Sequence, residues 1–292
     1  MSAIILMLAA ALVGPVGAQT LEQAGQSAIA FTDAARHIGE PSIRHDLKYR
    51  EISGPLFVKT EGDRRAADAS DIAQGEMGDC YFLSSLAAIA HVRSSLIHQF
   101  IHDNHDGTFT AVFHRKVGGK YQDVPVRVDD RFPEFRQRQQ PSFAQPVDRD
   151  ARGTELWVMA AEKAFAQFKG GTYHKIDGGV PSQAMAAILG MDSQGYRSSQ
   201  VNFDQLAGWK DQGYPIVVGT LDDKAVPHGK DADPLWTKHI LVSGHAYWVE
   251  KVDKRSRTVT IANPWGFDEK HVTLTEDQFH TDLDSVFVTP LH

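Results

Sequence analysis

The chain has one cysteine, Cys80, in 292 residues. A single cysteine excludes an intrachain disulfide framework, so its thiol is either a small buried side chain or a reactive group. Basic residues are also in the minority, since 30 Lys and Arg stand against 37 Asp and Glu, a formal net charge of -7. No long run of Lys or Arg offsets that balance, and we therefore expect no nucleic-acid partner.

The N-terminus has an apolar run, Ala3 to Val13, that is too short to span a bilayer. A Gly-Pro break follows, and Val16-Gly17-Ala18 then fits a small-x-small cleavage site, so residues 1–18 are predicted to be a signal peptide. This predicts a secreted or periplasmic protein without stable membrane insertion after signal removal. The first residues carry no Lys or Arg, however, and a cytoplasmic protein is expected if the stretch is not a signal.

The rest of the chain has the composition of a globular protein. It is 42% hydrophobic and 23% charged, which is enough apolar material for one large domain or two lobes. Residues 19–55 show no sustained period and are interpreted as an N-terminal extension or a pro-segment. Because Gly178-Gly179-Val180-Pro181 punctuates the chain, we place one sub-lobe at 56–177 and a second at 178–292.

Local patterns predict the fold class. Apolar spacings of three and four predict a helix from Cys80 to about His102, and two strands joined at Gly118-Gly119 predict a β-hairpin after it. A second helix is predicted in TELWVMAAEKAFAQFKGG, with Thr154 as its N-cap and Gly170-Gly171 at its end. Strand-like runs then dominate: YPIVVGT, KHILVSGHAYWVEKV, TVTIANPW and SVFVTPL. The class is therefore α+β, with a mainly helical N-terminal half and a mainly β C-terminal half.

Cys80 stands where the first of these helices begins. A thiol in a first helical turn faces unpaired backbone N–H groups and the positive end of the helix dipole, and both favour the nucleophilic thiolate. Gln74 lies six residues upstream, beyond Gly75 and Gly78, where its amide could point at the same spot as the Cys80 backbone N–H. Two such donors form an oxyanion hole for a tetrahedral intermediate. An isolated Cys is more often a core residue, so this interpretation requires a base.

Two further residues supply that base and its partner. His245 follows a Gly and opens a strand-like run, and Asn263 closes another such run before Pro264-Trp265. An Asn carbonyl that accepts the imidazole N–H would orient the ring for proton transfer with Cys80. Each residue alone is more often structural than catalytic. The order Cys, His, Asn makes the three a candidate catalytic constellation.

The stretches QGEMGDCYFLSSLA, GHAYWV and ANPWG resemble the three active-site blocks of the calpain family of papain-like cysteine proteases. VPVRVDDRFP and ELWVMAAEKAFAQFKGGTYHKIDGG resemble further parts of the same catalytic core, and the likeness runs from about Ala69 to near the C-terminus. The resemblance implies a papain-like cysteine protease fold, with a helical Cys lobe, a β-rich His/Asn lobe and the active site between them. One departure is Tyr81, which stands where the family usually has Trp.

The resemblance also implies a role for each site residue. Cys80 would be the nucleophile, His245 the general base and acid, Asn263 the residue that orients the His, and Gln74 an oxyanion donor. Trp265 would shield the His–Asn hydrogen bond. The implied activity is that of a cysteine endopeptidase, which cleaves peptide bonds in proteins or peptides through a cysteine acyl-enzyme.

Calcium is the one cofactor that the resemblance implies, because in the family an ion in each sub-lobe draws the two halves of the site together. Calcium takes six or more oxygen ligands and prefers carboxylates. The expected ligands in the first sub-lobe are Asp71, nine residues before Cys80, and Glu162. The alternative is that Asp71 caps a turn and Glu162 pairs with a surface Lys.

The surroundings of the two expected calcium sites differ. The loop before the first site contains Arg64 and Arg65, which are unfavourable neighbours for a divalent cation. In the second sub-lobe only Asp268 and Glu269 match the acidic positions of the family loop. We therefore expect one site, in the first sub-lobe, and an activity that calcium stimulates without strictly gating it.

Two other classes of function remain open. A calpain-like module that has lost turnover would bind proteins through its groove, although the presence of all four expected polar groups argues against that. A transglutaminase-like amidase is a second alternative, since it also forms an acyl-enzyme on a Cys-His pair. Peptide cleavage and amine incorporation are the activities that separate it from an endopeptidase.

Overall fold

The computed structural model describes residues 38–59, 67–138, 140–227, 233–266 and 271–291. These residues all belong to one structural unit that begins at Ile38. Several of the predicted features lie outside the described residues: the signal peptide, most of the N-terminal extension, Arg64 and Arg65, and the acidic pair Asp268 and Glu269.

The described residues form a mixed α+β fold, which confirms the predicted class. The strands, in chain order, are β1 Leu47–Glu51, β2 Ile101–Asp103, β3 Thr108–Val117, β4 Lys120–Asp129, β5 Arg131–Phe135, β6 Arg149–Asp150, β7 Gly153–Thr154, β8 Gln194–Arg197, β9 Ile216–Thr220, β10 Ala246–Asp253, β11 Thr258–Ala262, β12 Val272–Thr275 and β13 Leu283–Val288. The α-helices are α1 Cys80–Phe100, α2 Trp157–Phe168, α3 Pro181–Leu189, α4 Phe203–Asp211, α5 Pro234–Thr237 and α6 Glu276–Asp282.

Helix α1 is the long apolar helix that begins at Cys80, as predicted. It has non-helical torsion angles at Arg93, where two helical segments meet, and it ends at Phe100 because the next residues pair with β3. Among the described helices it is the one long and apolar enough to cross a membrane. Most of it is buried within the protein, and an enclosed core helix has the same composition.

The predicted hairpin is formed by β3 and β4, which pair from Thr108 to Val117. Its turn is Gly118-Gly119, where both residues have positive φ angles, 58° and 80°. Two consecutive left-handed residues give the turn that matches the twist of antiparallel strands, and glycine adopts it without strain.

Helix α2 begins later than the sequence predicts. Thr154 is not its N-cap, because Thr154 lies in strand β7 and pairs with Arg149. The helix starts at Trp157, and Leu156 occupies the capping position without a side-chain hydrogen bond. Ten of its twelve residues are buried, so tertiary packing and not a polar cap fixes where this helix starts.

The C-terminal part contains a six-stranded antiparallel sheet with the order β12-β11-β10-β9-β13-β8. Each of the four predicted strand-like runs contributes one strand. The run KHILVSGHAYWVEKV is strand only from Ala246 onward. Strands β8 and β12 and helices α3, α4, α5 and α6 were not predicted from the sequence.

Buried apolar side chains form two clusters. The first contains α1, α2, α3 and the hairpin, and the second lies mainly between the large sheet and helices α4 and α6. Four residues of the sheet region also join the first cluster: Val217, Ala246, Trp248 and Ala262. Helix α1 therefore packs against the centre of the sheet, next to the start of β10.

Candidate active site

Cys80 is the first residue of α1, and its side chain is partly buried. The backbone carbonyl of Asp79 accepts the N–H groups of Phe82 and Leu83 at 2.8 and 3.1 Å, which satisfies two donors of the first helical turn. The Asp79 side chain makes no capping hydrogen bond. The structure thus places the thiol at the N-terminal end of the helix, as predicted.

The protonation of Cys80 is governed by its burial. Burial raises the pKa of the Cys80 thiol, while a hydrogen bond from the Ala246 backbone acts in the opposite direction. Desolvation disfavours the charged form of a thiol, and here it exceeds the effect of the helix N-terminus on which the sequence argument relied. Burial therefore favours the neutral thiol of Cys80, and the nucleophilic thiolate forms when a base takes its proton.

The candidate base is His245, which immediately precedes β10 and is 7% exposed. Strands β10 and β11 are antiparallel neighbours with Trp248 opposite Ala262, so the start of one lies beside the end of the other. This register brings His245 to Asn263, and Nε2 of the ring lies 2.9 Å from Oδ1 of the amide. The sheet therefore places the second and third residues of the predicted constellation in contact.

The Asn263 amide has a defined orientation because the backbone N–H of Trp265 donates to Oδ1 at 3.1 Å. Since Oδ1 only accepts, Nε2 of His245 carries a proton and donates to it. The neutral ring then has Nδ1 as its proton acceptor, which is the tautomer that a general base requires. Burial lowers the pKa of His245 and the hydrogen bond to Asn263 opposes that shift, so burial also favours the neutral ring.

Trp265 lies beside this hydrogen bond, with its ring centroid 5.1 Å from that of His245. Trp265 is 42% exposed, so part of the indole faces solvent. The shielding role that the resemblance implies for Trp265 stays a prediction.

Gln74 lies in the loop that leads to Cys80, and its backbone N–H donates to the carbonyl of Pro264 at 2.8 Å. The loop is thus joined directly to the Asn263 turn. The Gln74 side-chain amide donates one hydrogen to the Met77 carbonyl at 2.5 Å. An amide carries two hydrogens, so one remains for the oxyanion role that the resemblance implies for Gln74.

Two glycines allow the Gln74 loop its close contacts. A Cβ at Gly75 would lie 1.9 Å from the Phe143 carbonyl oxygen, and a Cβ at Gly78 would lie 2.4 Å from Asp177 Oδ1. The Gly78 carbonyl also accepts the Gly178 N–H at 2.8 Å. A side chain at Gly75 would clash with backbone, and one at Gly78 would displace the Asp177 carboxylate, so both glycines allow the close packing of this loop.

Helix α1 contacts the start of β10 through the backbone of Ala246. Ser84 Oγ, one turn along α1 from Cys80, donates to the Ala246 carbonyl at 2.9 Å. The Ala246 backbone is also a hydrogen-bond partner of the Cys80 thiol. Within the described residues, Cys80 and the His245 ring share no hydrogen bond. The His–Asn contact is thus formed and the thiol lies against the residue next to His245.

An acidic cluster lies near the Cys80 side of the site. One carboxylate oxygen from each of Asp71, Asp148 and Glu155 lies within 4.8 Å of the others. Asp71 Oδ2 accepts from Trp157 Nε1 at 2.9 Å and from the Asp68 N–H at 2.7 Å, and Glu155 Oε1 accepts the Val58 N–H at 2.7 Å. Ligand oxygens around one calcium ion, at about 2.3–2.6 Å each, fall within this spacing.

Glu162 is not part of this cluster. It is 2% exposed, both of its oxygens accept the Ala144 N–H at 3.0 and 3.1 Å, and its carboxyl group contacts that of Asp79. The structure therefore separates Glu162 from Asp71, the other metal ligand expected from the sequence. It also does not pair with a surface Lys, which was the alternative prediction for Glu162. The alternative for Asp71, that it caps a turn, is confirmed by its capping box with Asp68.

Sequence reasoning missed Asp148 and Glu155 as partners of Asp71. Glu155 has no clear signal, because the sequence predicts it in the first turn of the helix and only the observed start at Trp157 places it ahead of that helix. Asp148 has none, because it lies in a loop whose path depends on the rest of the fold.

Comparison with known proteins identifies the family of the chain. A family model described as calpain family cysteine protease matches residues 52–277. The calpain-type cysteine protease DEK1 of Arabidopsis thaliana is 32% identical over 68% of this chain and 9% of its own length. Human calpain-9 is 27% identical over 73% of this chain and 31% of its own, and the mouse calpain-1 catalytic subunit is 25% identical over 82% and 35%.

The chain corresponds to about a third or less of the length of these curated relatives. The family match itself covers most of the chain and includes Cys80, His245 and Asn263. This chain belongs to the calpain family of cysteine proteases.

Proposed function

We propose that the chain is a cysteine endopeptidase that hydrolyses peptide bonds in protein or peptide substrates. The observation that carries this proposal is the convergence of three segments. The first residue of α1 supplies a thiol, the start of β10 supplies an imidazole, and the end of β11 supplies the amide that orients it. A nucleophile, a base and an orienting group are the minimum set for covalent acyl transfer.

Acylation begins when Nδ1 of His245 takes the thiol proton of Cys80. The sulfur forms a bond to the peptide carbonyl carbon, and the carbonyl oxygen becomes an oxyanion that accepts from Gln74 Nε2 and the Cys80 backbone N–H. The intermediate collapses as the C–N bond breaks, and the imidazolium gives its proton to the departing amine. The enzyme is then a thioester on Cys80.

Deacylation repeats the sequence with water in place of the thiol. His245 takes a proton from water, whose oxygen attacks the thioester carbonyl while the same two donors hold the oxyanion. The C–S bond breaks, the carboxylic acid leaves, and the proton returns to sulfur. Asn263 holds the ring through Nε2 in both halves, so Nδ1 faces the reacting atoms throughout.

We propose the papain-like two-lobe arrangement that the resemblance implies, with the peptide between the lobes. Two separate hydrophobic clusters support this, since one surrounds α1 and the other lies against the large sheet. The connections between Gln74 and Pro264 and between Ser84 and Ala246 join the two parts close to the thiol. A small movement of one part against the other would therefore change the distance from Cys80 to His245.

Calcium is proposed as the cofactor of the acidic cluster. The donor set fits, because three carboxylates converge and calcium prefers oxygen ligands from carboxylates and backbone carbonyls. In this proposal Asp148 and Glu155 replace Glu162 as the partners of Asp71. Calcium held there would stabilise the segments that lead into α1 and α2, and we expect it to stimulate activity without strictly gating it.

Secretion to the periplasm or beyond, after removal of residues 1–18, remains a proposal that rests on the N-terminal sequence alone. Cell fractionation and the mass of the mature N-terminus test it. A full-length protein in the cytoplasm would contradict it.

Labelling with a thiol-reactive peptide epoxide, with and without calcium, tests the proposed activity. An endopeptidase is labelled once per chain at Cys80 and cleaves an unlabelled protein substrate. Labelling without cleavage indicates the non-catalytic binding module. Incorporation of an amine into a glutamine-containing peptide, in place of hydrolysis, indicates the transglutaminase-like alternative.

A further inference from the structure

A pair of buried carboxyl groups lies directly beneath the candidate nucleophile. Asp79 immediately precedes Cys80 and is 0% exposed, and Glu162, on α2, is 2% exposed. The two side chains are in hydrogen-bonding contact with each other. The chemistry proposed above uses neither of them, although few carboxyl groups are buried to this degree without a partner of opposite charge.

The contacts of the pair require a proton between the two groups. Within the described residues, neither Asp79 oxygen has a hydrogen-bond partner apart from its own backbone and the Glu162 carboxyl group. Both Glu162 oxygens accept the Ala144 N–H. Two ionised carboxylates only accept hydrogen bonds and repel each other, so the contact between Asp79 and Glu162 forms when one of them carries a proton.

The groups that face the pair supply no positive charge. Asp177 adds negative charge from beyond Gly78, and the neutral Cys80 and Tyr81 lie on α1.

The groups around Glu162 are also neutral or engaged elsewhere. The Tyr173 hydroxyl, buried and without a hydrogen bond among the described residues, faces Glu162. Lys163 is adjacent to Glu162 in sequence, but its ammonium donates to Asp129 and to the Arg131 carbonyl.

Burial therefore dominates the ionisation of both groups. It raises the pKa of Asp79 to about 7, and the charge of Asp177 acts in the same direction. Burial also raises the pKa of Glu162 well above its usual range, and the neighbouring Asp79 adds to that shift. Because the groups are coupled, the proton belongs to the pair and not to one residue.

The pair connects the segments that place the nucleophile and the oxyanion donor. Asp79 immediately precedes Cys80, and Glu162 accepts the backbone N–H of Ala144.

The loop around Ala144 in turn contacts the Gln74 segment. The Ser142 carbonyl accepts the Glu76 N–H at 2.9 Å, and the Gln145 N–H donates to the Ala73 carbonyl at 2.7 Å. The loop around Ala144 thus supports both ends of the Gln74 segment.

We propose that Asp79 and Glu162 are positioning residues, and that one proton shared between their carboxyl groups fixes the first turn of α1 against α2 and the loop around Ala144. The proposal rests on the proposed cysteine-protease function in one respect: that function gives Cys80 and Gln74, the residues that are positioned, their roles. The shared proton does not depend on that function.

Loss of the proton has a defined consequence. Two carboxylates would then share a dry site, and their repulsion would separate Asp79 from Glu162 and displace Cys80. A carboxyl group whose pKa is raised on folding contributes most to stability at low pH. Its contribution falls as the pH rises from the ordinary carboxyl pKa, near 4, to the folded value, near 7 for Asp79.

The first test is the infrared spectrum of the full chain at about neutral pH, where ordinary carboxyl groups are ionised. We expect a protonated-carboxyl band that disappears in Glu162→Gln and in Asp79→Asn and persists in Glu134→Gln. Glu134 is a matched control, since it is buried in the same part of the fold but pairs with Lys48 and Arg50. A band that neither substitution at the pair removes would overturn the shared proton.

The second test compares urea-unfolding midpoints from about pH 5 to pH 9. The advantage of the wild type over Glu162→Gln should shrink as the pH rises through about 7, because only the wild type must release a buried proton. The difference between wild type and Glu134→Gln should stay constant. A difference between wild type and Glu162→Gln that does not change with pH contradicts the proposal. Both tests remain valid if the protein cleaves no peptide.

The third test examines positioning. Peptidase kcat/KM at about pH 6 should fall at least tenfold in Glu162→Leu, which leaves Asp79 without its partner. In Glu162→Gln it should stay within about threefold of wild type.

If Glu162→Leu does not fold, the positioning role is tested by the ratio of peptidase activity at high pH to that at low pH. Glu162→Gln should keep more of its activity at high pH than wild type does. Equal ratios would contradict a positioning role.

Discussion

The two sides of the candidate site are held in place by different kinds of interaction. His245 and Asn263 stand at the ends of paired strands, and the register of β10 and β11 brings them to 2.9 Å. Cys80 and Gln74 depend on loops that meet at glycines and on a carboxyl pair that requires a proton. We infer that the His–Asn side is fixed by backbone hydrogen bonds, whereas the Cys side depends on the protonation of the carboxyl pair and, if the calcium proposal holds, on a bound ion.

Removing the nucleophile or the base should give the largest effects. Cys80→Ala and His245→Ala should each lower kcat by on the order of 10⁶, because nucleophile and base act as one unit. Steady-state hydrolysis of a peptide substrate measures this loss, and an unchanged unfolding midpoint shows that the fold persists. His102→Ala, at an exposed position in β2, is the control and should retain full activity.

Two results would contradict the assignment. Cleavage by purified Cys80→Ala protein would exclude Cys80 as the nucleophile. If His239→Ala or His228→Ala abolished activity while His245→Ala did not, the base would be misassigned; of these two, His228 lies outside the described residues.

Removal of the proposed oxyanion donor, Gln74, should lower activity less than removal of the nucleophile or the base. Gln74→Ala should lower kcat by about 10²–10³ with little change in KM, since a single oxyanion donor contributes this much to the transition state. Gln145→Ala is a suitable comparison, because its amide donates to the Pro141 and Phe143 carbonyls in the neighbouring loop. We expect Gln145→Ala to lower the melting temperature more than it lowers kcat. A Gln74→Ala variant with wild-type kcat would remove Gln74 from the mechanism.

Much of this site could be predicted because its signals are local. A cysteine at the start of an apolar helical pattern and a His and an Asn at the ends of strand-like runs identify the candidate residues. Antiparallel pairing of two consecutive strands then brings His245 and Asn263 together. The turn at Gly118-Gly119 was predicted for the same reason, since it depends on two adjacent residues.

The features that the sequence did not predict depend on contacts between distant segments. Glu155 and Glu162 both belong to the stretch that predicts α2, and only the observed start at Trp157 separates their roles. Glu155 precedes the helix and reaches Asp71, whereas Glu162 lies within it and reaches Asp79. The raised pKa of Cys80 was missed because the helix-terminus argument considers one element, and burial is produced by the whole fold.

Calcium should affect the Cys side in particular. Saturation at about 100 times Kd would stabilise the fold by about 2.7 kcal/mol if the ion binds only the folded state. We expect the melting temperature to rise with calcium in wild type and in Glu162→Gln, but not in Glu155→Gln or Asp148→Asn. Peptidase activity should follow the same order.

Three outcomes would revise the calcium proposal. Identical melting and activity in chelator and in calcium would exclude the acidic cluster as an ion site. A response lost in Glu162→Gln but kept in Glu155→Gln would restore the ligand expected from the sequence. Complete inactivity in chelator would show that calcium gates the enzyme and that a second site contributes.

The smallest expected effect is on the His–Asn side, at Thr220 in β9. Its hydroxyl donates to the Val242 carbonyl at 2.7 Å and accepts the His245 backbone N–H at 3.0 Å, so it anchors the residues around the base. Thr220→Val keeps the shape but removes a partner from the buried His245 N–H and from the partly buried Val242 carbonyl, which should cost about 1–3 kcal/mol of unfolding free energy. Because the strand register still holds His245 against Asn263, we expect kcat to fall less than tenfold, about 1.4 kcal/mol in the barrier. Thr260→Val, on the exposed face of β11, controls for the loss of a hydroxyl and should change neither quantity. A loss of kcat as large as that of Gln74→Ala would show that the His side is no better fixed than the Cys side.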